Sequence, residues 1–187
     1  MPGDFCLVHA TGRLRDRWMG ALVQWVTDSP CEHAAVYVGH VDGYDKPQCV
    51  EARPGGAGFI DADHYTGRAL WSGGRLPAHL IPTDAQRQAI VAAALAKVGT
   101  PYGVLDIVAI GLAQRRLGSR VDARRAIAEQ PWWVRRLMRT DRLICSELID
   151  LVYEEAGVHL FTDGRPHQLV APSDLWVLLG SPIGWWS

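Results

Sequence analysis

Apolar residues after position 142 recur at helical spacing. They occupy positions i, i+3, i+4, i+7, i+8 and i+11, which form one helical face: Cys145, Leu148, Ile149, Val152, Tyr153 and Ala156. Gly157 follows this run and is a typical residue at a helix end. The pattern predicts an amphipathic helix that packs on a core and carries Cys145 in its first turn.

Four further segments are predicted to be helices. Thr83-Asp84-Ala85-Gln86 has the sequence of a capping box and opens a helix that ends near residue 98. Residues 15–27 and 102–117 also follow a helical pattern. Another helix is expected to start at Pro172-Ser173-Asp174-Leu175, with the serine as its N-cap.

Short runs rich in β-branched and aromatic residues predict strands. The clearest runs are residues 4–8, 33–38 and 48–52. Weaker patterns predict two more strands at residues 59–61 and 75–81. Strands and helices together predict an α+β fold, in which a small antiparallel sheet packs against the helix that carries the cysteine.

The strands at residues 33–38 and 48–52 are joined by a polar loop that contains Asp42-Gly43, which predicts an antiparallel hairpin. Opposite residues of such a pair point to the same face. With the loop centred near Asp42 or Gly43, His33 and Glu51 share one face, either directly opposite or diagonal, and Tyr37 lies on it too. A slip of one residue in the register would move Glu51 to the other face.

The composition indicates one ordinary globular domain, expected to span residues 1–187. Hydrophobic residues make up 48% of the chain and the formal net charge is −1, so no specific nucleic-acid partner is expected. The chain start lacks the features of a signal peptide, and the longest apolar run, residues 104–113, is too short for a bilayer. We therefore expect a protein without a transmembrane segment, cytoplasmic or phage-encoded.

The cysteines give no sign of a metal or redox motif. They are Cys6, Cys31, Cys49 and Cys145, and no two form a CxxC pair. A metal site built from Cys31, His33 and Cys145 is disfavoured because the first two are close neighbours on one strand. We expect free thiols, as in a reducing compartment, and neither a metal nor a cofactor.

Residues 115–142 stand apart because they hold nine arginines around Pro131-Trp132-Trp133. We interpret this stretch as a basic, aromatic, helical insertion or lid. It is either a solvated helical face or a contact for an anionic surface, such as a cell-wall polymer or a membrane.

Cys145 has two interpretations. As part of an apolar stripe it is a small buried hydrophobe. As a cysteine in the first turn of a helix it lies at the positive end of the helix dipole, which favours the nucleophilic thiolate. A nucleophile needs a base and an orienting group, and His33 and Glu51 are the candidates for these two roles.

Six segments, in order along nearly the whole chain, resemble one known family. They are Gly3-Asp4-Phe5-Cys6-Leu7-Val8, the histidine strand of residues 29–39, Val50-Glu51-Ala52, Gly99-Thr100-Pro101-Tyr102, Ile144-Cys145-Ser146-Glu147-Leu148 and Pro172-Ser173-Asp174-Leu175. This ordered set resembles the circularly permuted branch of the NlpC-type papain-like cysteine hydrolases, the YiiX-like group. More distantly, it is similar to the lecithin retinol acyltransferase-like proteins.

The resemblance implies a permuted papain-like domain with a Cys-His-Glu triad. In ordinary papain-like enzymes the cysteine precedes the histidine, whereas here the histidine comes first, as the permuted group requires. Carried over, Cys145 is the nucleophile, His33 the general base and acid, and Glu51 the orienting residue. Tyr102 either lines the site or packs under the helix, and Tyr37 is a second candidate for substrate binding. The arginine-rich stretch of residues 115–142 has no counterpart in the family pattern.

Three functions remain open from the sequence. The first is a cysteine hydrolase that cleaves an amide bond, either peptide or isopeptide, through an acyl-enzyme on Cys145, with cell-wall material as one candidate substrate. The second is a lipid-directed acyltransferase or thioesterase at a membrane surface, which shares the chemistry and differs in the acceptor. The third is an inactive papain-like binding module, disfavoured because all three polar positions are present.

Overall fold

The computed structural model describes residues 1–9, 31–103, 142–165 and 167–180. In these ranges the chain has an α+β fold, with one five-stranded antiparallel sheet and three helices. The strands are β1 (Phe5–His9), β2 (Cys31–Gly39), β3 (Gln48–Arg53), β4 (Gly56–Asp61) and β5 (Ala69–Trp71), in the order β4-β3-β2-β1-β5. The helices are α1 (Asp84–Ala96), α2 (Cys145–Glu155) and α3 (Pro172–Leu178).

The sheet has two faces with different partners. Alternate residues such as Phe5, Leu7 and Val36 join the main core together with the three helices, and we call this side the core face. The intervening residues form a smaller cluster on the other side, which we call the site face: Cys6, Val8, Ala35, Cys49 and, from outside the strands, Tyr65. This division matters because the candidate histidine and glutamate belong to the site face.

Helix α2 is held by the apolar stripe that the sequence predicts. Leu148, Ile149 and Val152 are fully buried on the core face, and each such side chain contributes about 1.5–3 kcal/mol when it leaves water. Tyr153 packs edge-on against Phe5 of β1, with ring centroids 5.6 Å apart. The helix is therefore pinned to the centre of the sheet.

Both predicted helix-end signals near α1 and α2 are confirmed. The Gln86 backbone N–H donates to Thr83 Oγ1 at 3.3 Å, and the Thr83 N–H donates to Gln86 Oε1 at 3.0 Å, which completes the capping box of α1. At the end of α2, Gly157 adopts a φ of 74°, the left-handed conformation that glycine accepts without steric cost.

Two predictions about local structure are wrong. Residues 75–81 form no strand: they contain a turn and a short 3-10 helix at Ala78–Leu80, and the fifth strand is Ala69–Trp71 instead. Ser173 is not the N-cap of α3. That position is Ala171, whose backbone N–H donates to Asp174 Oδ2 at 2.8 Å, and Pro172 occupies the first helical turn.

Several predictions fall outside the described residues. They are the helix at residues 15–27, nearly all of the helix at residues 102–117, and the arginine-rich insertion up to residue 141. Among the residues that are described, no helix combines the length and the apolar character that a membrane span requires.

Candidate active site

His33 and Glu51 lie together on the site face. The register pairs Ala35 of β2 with Glu51 of β3, so His33, two residues before Ala35, is diagonal to Glu51. The His33 Nε2 atom lies 2.6 Å from Glu51 Oε2, which is hydrogen-bonding distance. The predicted common face of these two residues is confirmed, in its diagonal form.

Cys145 is the third member of this arrangement. It is the first residue of α2, and its side chain lies close enough to the His33 ring to raise the pKa of the imidazole. Because Nε2 of His33 is occupied by Glu51, the nitrogen that remains for the thiol is Nδ1. Although α2 packs on the core face, its N-terminus thus reaches the histidine near the beginning of β2. The three candidates form a continuous chain from thiol to imidazole to carboxylate.

The surroundings of His33 favour its protonated form. Burial opposes the charge, but hydrogen bonds with Cys145 and Glu51 outweigh burial and raise the pKa of the imidazole to about 10. The side chain keeps 19% of its surface exposed. At neutral pH the ring is therefore an imidazolium that lies between the Glu51 carboxylate and the Cys145 side chain.

Glu51 is a buried carboxylate, only 2% exposed, with three hydrogen-bond or ion-pair partners. Oε2 accepts from both His33 Nε2 and the hydroxyl of Tyr65, and Oε1 lies 3.1 Å from Arg53 Nη1. Burial disfavours ionisation, but His33, Tyr65 and Arg53 more than offset it and hold the pKa of the carboxyl below its usual value. The imidazolium therefore faces a permanently charged partner at neutral pH.

Tyr65 is the residue of this site that sequence analysis missed. It lies in a short 3-10 helix, Ala62–Tyr65, that follows β4 and returns across the site face. Its side chain is 95% buried, and the hydroxyl donates to Glu51. No periodicity or motif marks this position, because the contact depends on how the chain folds back after β4.

The two tyrosines predicted to bind substrate occupy different places. Tyr102 forms an isolated parallel bridge with Leu143, two residues before Cys145, and the charges of Cys145 and Glu51, after burial, contribute to raising the pKa of its phenol. It therefore lies beside the site. Tyr37 is four residues further along β2 and packs against Trp71, with ring centroids 5.9 Å apart. Among the described residues, no hydrogen bond or ring contact joins Tyr37 to His33 or Glu51, and its role in substrate binding stays a prediction.

The other three cysteines are buried structural residues. All four thiols lie in the described ranges and none forms a disulfide. Burial raises the pKa of Cys6 and, to about 12, that of Cys49, and nearby negative charge adds to both shifts. Cys31 is fully buried in the main core. Within the described part of the chain, no group of three or more histidine, cysteine or acidic side chains is placed to hold a metal ion.

This arrangement supplies the components of nucleophilic catalysis in one place. A thiol at the start of a helix faces a protonated imidazole, and the imidazole is oriented by an ionised carboxylate. The N–H groups of the first helical turn have no acceptor within the helix, so the backbone N–H of Cys145 is a candidate donor to an oxyanion. Such a set can attack a carbonyl carbon and deliver a proton to the group that leaves.

In comparisons with known proteins, no family model matches this chain, and no curated protein matches it significantly.

Proposed function

We propose that this protein is a cysteine hydrolase of the permuted papain-like type, which cleaves an amide bond through an acyl-enzyme on Cys145. The observation that carries the proposal is the position of His33, whose ring lies 2.6 Å from Glu51 on one side and close enough to Cys145 on the other to be influenced by its charge. A thiol nucleophile needs a base beside it and a group that orients this base, and the three residues provide this order.

The first half of the reaction forms the acyl-enzyme. The proton of the Cys145 thiol passes to His33 Nδ1, and the thiolate sulfur attacks the substrate carbonyl carbon. The backbone N–H of Cys145 donates to the oxyanion that develops. His33 then gives its Nδ1 proton to the amide nitrogen, the carbon–nitrogen bond breaks, and the amine leaves. The acyl group remains on Cys145 as a thioester, and Glu51 keeps the now neutral ring in position.

The second half releases the acid. Water attacks the thioester carbonyl while His33 Nδ1 takes a proton from it. The carbon–sulfur bond breaks, the carboxylic acid leaves, and Cys145 and His33 return to the thiolate–imidazolium pair. The lipid-directed acyltransferase or thioesterase differs only in the acceptor or in the atom that leaves, so the same three residues would serve it.

A chromogenic ester tests the covalent step without knowledge of the natural substrate. With p-nitrophenyl acetate we expect a burst of one equivalent of nitrophenol per chain and a transient acetyl group on Cys145, located by peptide mass spectrometry. Cys145→Ala should lose both. Cys6→Ala, which removes a buried thiol elsewhere on the site face, is the matched control and should retain both. A full burst from Cys145→Ala would overturn the proposal.

A further inference from the structure

We infer that Tyr65 is a positioning residue of this site, whose hydroxyl fixes Glu51 Oε2 on the imidazole of His33, so that four residues act as one unit: Tyr65, Glu51, His33 and Cys145. The inference rests on the proposed function for its catalytic meaning. Its structural content, that Tyr65 acts on His33 through Glu51, can be tested independently.

The geometry of Glu51 is the first argument. His33 and Tyr65 donate to the same oxygen, Oε2, so the phenol sets where that oxygen lies relative to the ring of His33. The second oxygen faces Arg53, whose side chain is 48% exposed. An exposed ion pair constrains a carboxylate weakly. Tyr65 is thus the buried residue that holds Glu51 in place. Because the hydrogen bond from the Tyr65 hydroxyl to Glu51 is shielded from solvent, it is stronger than an equivalent hydrogen bond at the surface.

The placement of the Tyr65 ring is the second argument. The ring packs against Cys6, Val8, Ala35 and Cys49 on the site face. The guanidinium of Arg68 lies 5.3 Å from the ring centroid, and the His64 ring packs edge-on at 5.1 Å. Because these contacts restrict the Tyr65 side chain to few rotamers, its hydroxyl is preorganised to donate to Glu51.

The chemistry of the phenol is the third argument. Burial and the adjacent carboxylate raise the pKa of Tyr65 far above its ordinary value, so the hydroxyl keeps its proton wherever the enzyme works. A neutral donor stabilises the ionised carboxylate without adding a positive charge that would compete with the imidazolium. The neutral Tyr65 hydroxyl therefore keeps Glu51 ionised without weakening the ion pair between Glu51 and His33.

The test is a double-mutant cycle read by NMR titration of the His33 ring. Tyr65→Phe keeps the aromatic ring and removes only the hydroxyl. We expect it to lower the pH midpoint of His33 by about one unit, because Oε2 of Glu51 is no longer held against the ring and its hydrogen bond with the imidazolium weakens. Glu51→Gln should lower the midpoint further. In the Glu51→Gln background, Tyr65→Phe should then have no additional effect, because its route to His33 has been removed.

Tyr153→Phe is the matched control. Tyr153 is another buried tyrosine, and its hydroxyl donates to the Gly3 carbonyl oxygen at 2.7 Å, on the opposite side of the sheet. The Tyr153→Phe variant measures how much unfolding free energy is lost when a buried hydroxyl is removed. It should leave the pH midpoint of His33 unchanged. With an acyl p-nitroanilide that the wild type cleaves, Tyr65→Phe should lower kcat about tenfold with little change in KM.

The outcomes separate the two proposals. A His33 midpoint that Tyr65→Phe leaves unchanged or raises, or a shift of equal size in the Glu51→Gln background, overturns the positioning role even if Cys145 proves to be the nucleophile. If Cys145→Ala retains the acyl burst, the hydrolase proposal fails, while a non-additive cycle would still establish the Tyr65–Glu51–His33 coupling.

Discussion

The Nε2 atom of His33 lies 2.6 Å from Oε2 of Glu51, although the two residues are 18 positions apart and belong to different strands. This contact determines which nitrogen of the ring can serve the thiol. Since Nε2 is held by the carboxylate, Nδ1 is the nitrogen that exchanges protons with Cys145 and a substrate in the proposed reaction. The register of β2 and β3 therefore determines which nitrogen of the His33 ring faces Glu51 and which remains for Cys145.

Substitution of His33 should affect amides more than activated esters. Nitrophenolate leaves without a proton, whereas an anilide nitrogen must be protonated before it leaves. We expect His33→Ala to lower kcat/KM for an acyl p-nitroanilide about 10²–10⁴-fold, and for the matching nitrophenyl ester by less. Glu51→Gln, which keeps the His33 ring but removes the carboxylate charge beside it, should lower kcat/KM less than His33→Ala on both substrates. Equal losses on ester and anilide would argue against His33 as the general acid.

The pH profile should be broad, with its alkaline limit set by His33. The folded pKa of His33, about 10, lies above its ordinary value, so the proton is held through neutral pH and lost as pH rises through about 10. The pKa of Glu51 is lowered, so the carboxylate stays ionised until the medium becomes clearly acidic. Anilide cleavage should therefore persist well above pH 8 and decline near pH ~10.

Glu51→Gln checks the assignment of that alkaline limit. Without the carboxylate the imidazolium loses one of its two partners, so the alkaline limb should move to lower pH. The measurement is kcat/KM for the anilide across the pH range, compared between wild type and variant. An alkaline limb at the same pH in both proteins would mean that another group sets it.

The pairing of His33 with Glu51 could be predicted because it depends on two local patterns. Side chains alternate along a strand, and the Asp42-Gly43 loop limits the possible registers to a few. Tyr65 could not be predicted, since its contact with Glu51 depends on a turn that crosses the sheet after β4. The edge strand β5 was missed for a related reason: its three residues are too few to show an alternation.

Helix ends show the same limit on a smaller scale. The capping box at Thr83 was predictable because both of its partners lie within one turn of sequence. At α3 the sequence predicts Ser173 as the N-cap, but the N-cap is Ala171, whose backbone N–H donates to the Asp174 carboxylate. A carboxylate three residues into the helix can replace a capping hydroxyl, and sequence alone did not distinguish the two solutions.

Alkylation should distinguish Cys145 from the other thiols. Cys6, Cys31 and Cys49 are fully buried, and burial raises the pKa of Cys6 and Cys49. Cys145 retains a small exposed surface and faces the imidazolium of His33. Iodoacetamide should therefore label Cys145 first under native conditions, as measured by peptide mass spectrometry. His33→Ala should slow this reaction, and equal labelling of all four cysteines would contradict an activated thiol.

Gly157→Ala should destabilise the fold without a direct effect on the site. Gly157 ends α2 at a φ of 74°, where an alanine Cβ costs roughly 1–2 kcal/mol, and no neighbouring atom lies within 4 Å of the added methyl group. The expected loss of unfolding free energy in urea is therefore due to backbone strain alone.

Gly58→Ala in β4 is the control, because that position also has open space but no positive φ. It should be neutral or slightly stabilising, since alanine restricts the unfolded chain. Equal destabilisation by both variants would contradict the left-handed end of α2. Because Gly157 lies at the opposite end of the helix from Cys145, the folded Gly157→Ala protein should still give a full acyl burst.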